Sequence, residues 1–213
     1  MIKHKLDLIL NTLDTMFPDA HCELNHSNEF ELLVAVMLSA QTTDQSVNKL
    51  TDTLFKKYRC VEDYANASVS ELENDIRTIG LYRNKAKSLH LMANKLIEEY
   101  NGEVPRTIKE LVKLPGVGQK TANVVVSVAF GVPAFAVDTH VERIAKRLGF
   151  AKKEDSVQIV EKKLCKAIPK DRWIKGHHQF IFFGRYFCKA TNPNCQSCPL
   201  YDICKEPLRK SRR

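Results

Sequence analysis

Four cysteines, Cys188, Cys195, Cys198 and Cys204, fall within residues 188–204 in the pattern C-x6-C-x2-C-x5-C. Thiolates gathered this closely can hold a metal centre, and soft sulfur donors select iron–sulfur clusters, zinc or copper. The intervening chain carries Asn192, Pro193, Asn194 and Pro199, so it turns repeatedly and presents no helix face. A zinc ribbon sets two C-x2-C pairs well apart. One such pair flanked by gaps of six and five favours a cuboidal cluster on four cysteines, with a small zinc knuckle as the alternative. Cys22, Cys60 and Cys165 stand alone and read as core or incidental.

A second candidate lies in residues 107–127, TIKELVKLPGVGQKTANVVVS. Short helices flank L-P-G-V-G. Gly116 and Gly118 permit backbone angles that other residues take only at a cost. Around Val117 they can leave N–H groups facing outward at a helix N-terminus, which suits a phosphate. A tight helix–helix corner using glycine for geometry is the competing explanation. Lys120 follows two residues after Gly118 and offers an amine, although most lysines simply face solvent. Asp138 opens DTHVERIAKRLGF, where it is a natural N-cap.

The elements that must position these residues read as almost wholly helical. Leu6, Ile9, Leu10, Leu13 and Phe17 recur at helical spacing, and FELLVAVMLSA (30–40) reads as a buried helix. Residues 43–58 are amphipathic, with Val47, Leu50, Leu54 and Phe55 on one face. Ser68 with Glu71, and Thr107 with Glu110, form capping boxes. The first opens a short helix to about Thr78 that Gly80 ends. Residues 82–100 form a long helix with Lys and Arg on its exposed side, closed by Asn101-Gly102. The β-branched run at 124–128 favours strand on propensity. The small-residue face of Ala122, Val125, Val126 and Ala129 places 119–130 in a helix instead, broken by Gly131 and Pro133. The terminal PLRKSRR reads as a disordered basic tail.

The chain has 213 residues and 44% hydrophobic content, enough for one large or two small cores. No apolar run reaches membrane-spanning length. Asp7, Asn11 and Asp14 interrupt any secretory signal, so a cytoplasmic location is expected, where clustered cysteines serve metals or catalysis over disulfides. The net charge of +8 suggests a polyanionic partner.

The cysteine spacing, LPGVGQKTA, VDTH and LLVAVMLSAQTTD (32–44) together resemble the endonuclease III-like DNA glycosylases, over about residues 29–204. The resemblance implies an all-α, two-domain helix-hairpin-helix fold. One domain, 22–132, would carry the hairpin. The other, 1–21 plus 133–213, would carry a 4Fe–4S cluster on Cys188, Cys195, Cys198 and Cys204. A lysine at the Lys120 position marks members that also cleave the strand. Its amine must be unprotonated to attack C1′, and a helix N-terminus and a deep, partly dry pocket would both favour that form. Asp138 would stabilise the charge that develops as the base leaves.

By the same resemblance, Gln41 fills the gap left by a flipped nucleotide and Leu81 wedges the opposite strand. A polar helix end and a core leucine are the plainer explanations of these two. Gly116, Val117 and Gly118 would meet backbone phosphate, as would Lys189 in the cluster loop. Ser39, Asp44 and His140 are candidate pocket residues, and Asp44 is also expected to cap the helix starting near Gln45. Adenine-removing relatives carry a glutamate where this chain has Ala35. The implied activity is excision of oxidised pyrimidines from duplex DNA, with β-elimination at the abasic site. The implied partner is damaged or abasic double-stranded DNA, the implied state a monomer away from membranes and associated with a bacterial nucleoid. An adenine or mismatch glycosylase, or a non-catalytic iron–sulfur DNA-binding protein, are the alternatives.

Overall fold

The computed structural model describes residues 3–206, and the basic tail lies outside them. The described residues are helical and contain no strand. In order the helices are α1 (Lys3–Met16), α2 (Glu29–Leu38), α3 (Asp44–Lys57), α4 (Val61–Asn66), α5 (Val69–Ile76), α6 (Tyr82–Tyr100), α7 (Ile108–Leu111), α8 (Gln119–Phe130), α9 (Thr139–Leu148), α10 (Val157–Ala167) and α11 (Trp173–Phe182). None is long and apolar enough to cross a membrane.

The chain divides into two compact units, Glu23–Val132 and the combination of Met1–Cys22 with Pro133–Arg213. In the first, α2 is the centre. Residues 32–38 are all buried, packed on α8, α3 and α6. Asn28 starts α2 by accepting a hydrogen bond from the Glu31 amide at 2.8 Å. The β-branched run of α8 is helical because residues 122–127 all go into the core. Packing there outweighs a propensity difference of about 0.5 kcal/mol per residue. Ser68 and Glu71 form a reciprocal capping box, as the sequence suggested.

Several local expectations are corrected. Thr43, not Asp44, caps α3, accepting from the Ser46 amide, and Asp44 is the first helical residue. Thr51 is buried on α3 while Phe55 is only half-buried. Thr107 caps α7, but Glu110 gives its carboxylate to Tyr100 and Lys113, so only half of that box forms. Helix α5 stops at Ile76, and Leu81, not Gly80, takes the left-handed turn that follows.

The second unit is built on Ile9, Leu13, Phe135, Ile144, Phe180 and Phe183, all essentially inaccessible. Helix α1 docks on α11, where Asp14 accepts from Gln179 at 2.9 Å and pairs with Arg172 at 2.9 Å. Helix α11 runs directly into a π-helical turn, Phe183–Phe187, whose end is closed by the Cys188 amide donating to the Phe183 carbonyl. Such turns are rare and cluster at functional sites. This one delivers the first cysteine of the cluster motif.

Candidate functional site

The hairpin between α7 and α8 is fixed by apolar anchors. Leu111, Leu114 and Val117 are buried, and the Val117 amide donates to the Leu114 carbonyl at 3.1 Å. Gly116 has φ +78, and a Cβ there would lie 2.6 Å from the Ser88 Cβ and 2.9 Å from the Met37 Cε. Glycine is therefore required twice, for torsion and for space. Gly118 is different. Its φ of −92 and ψ of 175 are open to any residue, and a Cβ added there would meet nothing within 4 Å. The expectation that both glycines serve unusual angles holds for Gly116 alone. Gly118 leaves a clear approach to the N-terminus of α8. There the first-turn amides have no intrahelical acceptor and the helix dipole is positive. The Val117 amide is already used, so the donors available to an anion are those of the first turn.

Lys120 is the second residue of α8 and is exposed. It stands at the positive end of α8, clear of the core of its own unit.

Gln41 and Leu81 come together on neighbouring loops of the same unit. Both take positive φ, 55 and 60 respectively, and a Cβ on Gly80 would sit 3.8 Å from the Gln41 carbonyl. Leu81 is 50% exposed, so it is not a core leucine. A leucine in the left-handed region costs on the order of 1–2 kcal/mol, and such strain concentrates at functional sites.

Lys85 accounts for part of this loop's rigidity. Expected on an exposed face, it is buried, and its ammonium donates to the Leu38 carbonyl at 2.8 Å and the Thr42 hydroxyl at 3.0 Å. It thereby caps the C-terminus of α2 and ties down residues 39–42, with burial lowering its pKa. Ser39 is half-buried and donates to the Val36 carbonyl at 2.8 Å. Ala35 is fully buried inside α2.

In the other unit Asp138 is the N-cap of α9, its Oδ1 accepting from the Val141 amide at 2.7 Å. Capping orients the carboxylate at the start of α9, and this role leaves its second oxygen for other contacts. The His140 Nδ1 lies 3.3 Å from an Arg143 Nη2, which also donates to the Gly184 carbonyl at 2.7 Å.

Cys188, Cys195, Cys198 and Cys204 line one cavity together with Phe187, Pro193, Tyr201, Arg147 and Glu206. None is in a disulfide. Among the described residues no group of His, Cys, Asp or Glu side chains closes tightly on a single ion; the four sulfurs share a cavity instead. Burial pushes the Cys188 thiol up and the Cys198 thiol up to about 11. Thiolates here therefore need a strong cationic partner, and the soft donor set fits an iron–sulfur centre.

Arg147, which sequence reasoning missed, anchors the loop. It is 8% exposed, donates to the Cys188 Sγ at 3.3 Å and the Lys189 carbonyl at 2.8 Å, and pairs with Glu206. The one signal for it was its spacing of four from Arg143 on α9. Lys189 itself is exposed.

A family profile described as HhH-GPD superfamily base excision DNA repair protein matches residues 34–170, and one described as iron-sulfur binding domain of endonuclease III matches residues 188–204. Endonuclease III of Bacillus subtilis (strain 168) is 57% identical over 209 residues, covering 98% of this chain and 95% of its own. That of Escherichia coli (strain K12) is 44% identical over 205 residues, covering 96% and 97%. A solved structure of a trapped endonuclease III–DNA covalent intermediate matches with a TM-score of 0.96 at 60% identity over 100% of both chains. A thermostable thymine-DNA glycosylase matches at 0.86 and 27% identity, over 95% of this chain and 96% of its own. The chain belongs to the endonuclease III family, within the helix-hairpin-helix superfamily of base-excision DNA repair proteins. Its activity is that of a bifunctional DNA glycosylase and abasic-site lyase, and its cofactor is a 4Fe–4S cluster.

Proposed function

We propose that this chain excises oxidised pyrimidines from duplex DNA and then cleaves the abasic strand, with Lys120 as nucleophile and Asp138 as the charged partner. The Lys120 nitrogen forms a bond to C1′ as the glycosidic bond breaks, and the base leaves with the bonding electrons and takes up a proton. Loss of the amine protons and opening of the sugar give an imine. The imine acidifies C2′, and loss of that proton expels the 3′ phosphate. The Asp138 carboxylate stabilises positive charge at C1′ and assists the proton transfers. Cys188, Cys195, Cys198 and Cys204 hold the cluster, which shapes the loop so that Lys189 and nearby backbone meet phosphate. When bound, the cluster supplies a cross-link between distant turns of the loop. Ser39, Asp44 and His140 are kept as pocket candidates without an assigned step. The working state is a monomer in the cytoplasm, associated with the nucleoid.

The observation carrying pyrimidine over adenine is Ala35, a methyl group fully buried where adenine-removing relatives place a proton donor. A panel of duplexes bearing single lesions tests it. Oxidised thymine or cytosine should be released, and adenine opposite an oxidised guanine left in place. Release of that adenine alone would reverse the assignment.

Gln41 and Leu81 plug the space of the extruded nucleotide. Gln41→Ala and Leu81→Ala should each slow release of a paired damaged base roughly tenfold or more, because unstacking costs a few kcal/mol. Cleavage of a pre-formed abasic site should change much less. Equal losses on both substrates would return the two residues to a structural role.

The hairpin glycines separate torsion from phosphate approach. Gly116→Ala should destabilise the fold by about 1–3 kcal/mol through its left-handed backbone and the Ser88 contact. Gly118→Ala should leave the melting temperature nearly unchanged, since its backbone angles are ordinary. It should nonetheless weaken binding to all DNA sequences by about tenfold, as expected for losing one charge-assisted phosphate contact. Fluorescence anisotropy beside thermal melts decides this. Unaltered DNA affinity in Gly118→Ala would remove the phosphate from that position.

A further inference from the structure

A cavity of about 740 Å³ opens on the cluster-bearing unit, walled by α9, Lys163 of α10, the loop after α9 and the chain following the last cysteine. Its lining holds seven basic residues against two acidic ones, Glu142 and Glu206. Both acids are already engaged, Glu142 with Lys146 at 2.6 Å and Glu206 with Arg147. Lys163 pairs with Asp155, which is not part of the wall. Lys152 is 3.9 Å from Glu154, with both side chains about three-quarters exposed, a contact that contributes almost nothing. The wall therefore keeps a charge excess on Lys152, Lys153 and Lys205 together with Arg143, whose guanidinium donates to the Gly184 carbonyl. A concave site of this size with convergent like charges raises the local concentration of anions. Ammonium groups on flexible stems suit the point-charge oxygens of phosphate. One phosphate would offset only part of the excess, so the charge balance favours several in a row.

We propose that this cavity is a second phosphate site, separate from the hairpin, that takes two or more consecutive phosphates from a free polyphosphate chain or a nucleic-acid backbone. The probe is inorganic tripolyphosphate, titrated calorimetrically at low salt into the full chain with its cluster. Wild type should bind saturably. Lys152→Gln combined with Lys153→Gln should weaken that binding at least fivefold, and both side chains are exposed and away from the cluster cysteines in sequence. Lys162→Gln combined with Lys166→Gln removes the same charge from exposed positions of α10 outside the wall and should leave it within twofold. Two results would overturn the site: equal weakening in both doubles, or wild-type affinity in the Lys152/Lys153 double. Undamaged duplex DNA then identifies the source. If DNA displaces tripolyphosphate from the cavity, and the Lys152/Lys153 double shows a salt slope lower by about one to two, the cavity holds DNA backbone. If tripolyphosphate stays bound beside DNA, the cavity holds free polyphosphate.

Discussion

Lys120→Gln should abolish strand nicking and lower base release on the order of ten-thousandfold, with the fold and the cluster colour retained. In the proposed mechanism the change removes the atom that bonds to C1′, and loss of a covalent nucleophile is among the largest single-residue effects in enzymes. The fold should tolerate it because Lys120 is exposed and Gln is a good helix former. Asp138→Asn makes the complementary test. Asparagine caps a helix about as well as aspartate, so α9 should keep its N-terminus and the melting temperature should barely move. The charge is lost, and base release should slow by about a hundred- to a thousandfold while lesion DNA still binds. Single-turnover rates on one lesion duplex, read beside circular dichroism, separate these effects. A Lys120→Gln protein that still nicks at wild-type rate would place the nucleophile elsewhere.

Arg147→Met should lower thermal stability more than any surface change. The guanidinium is 8% exposed and serves Glu206, the Lys189 carbonyl and the Cys188 sulfur together. Removing one partner of a buried pair leaves the other charge uncompensated and costs about 3–5 kcal/mol. In a chain of this length that is a fall of roughly 6–20 °C in melting temperature. Adding Glu206→Gln should restore part of it, because the orphaned carboxylate is then neutral. The melt is best followed both by circular dichroism and by the visible absorption of the cluster. A shift under about 2 °C would show that the guanidinium does not hold the loop.

The parts of the site that depend on local chemistry were readable from residue order. The four cysteines, the hairpin string and the cap at Asp138 each announce themselves within a few positions. The parts that depend on distant partners were not. Lys85 reads as one more basic residue on a long helix; its burial is set by the Leu38 carbonyl 47 positions away. Arg147 reads as a helix-terminal arginine, and its partners lie 41 to 59 residues on. Gly116 and Gly118 look alike in sequence, yet one is needed for torsion and the other leaves open space. Leu81 shows the limit in the other direction. A leucine gives no hint of a left-handed backbone, here in the α5–α6 turn that lies beside Gln41.

The most direct test of the covalent mechanism is reductive trapping. Wild-type protein turning over a duplex with one oxidised pyrimidine, in the presence of borohydride, should accumulate a protein–DNA adduct through reduction of the imine. Proteolysis and mass spectrometry should place the adduct on Lys120 and on no other lysine. An adduct on a different lysine, or base release with no adduct at all, would contradict the account.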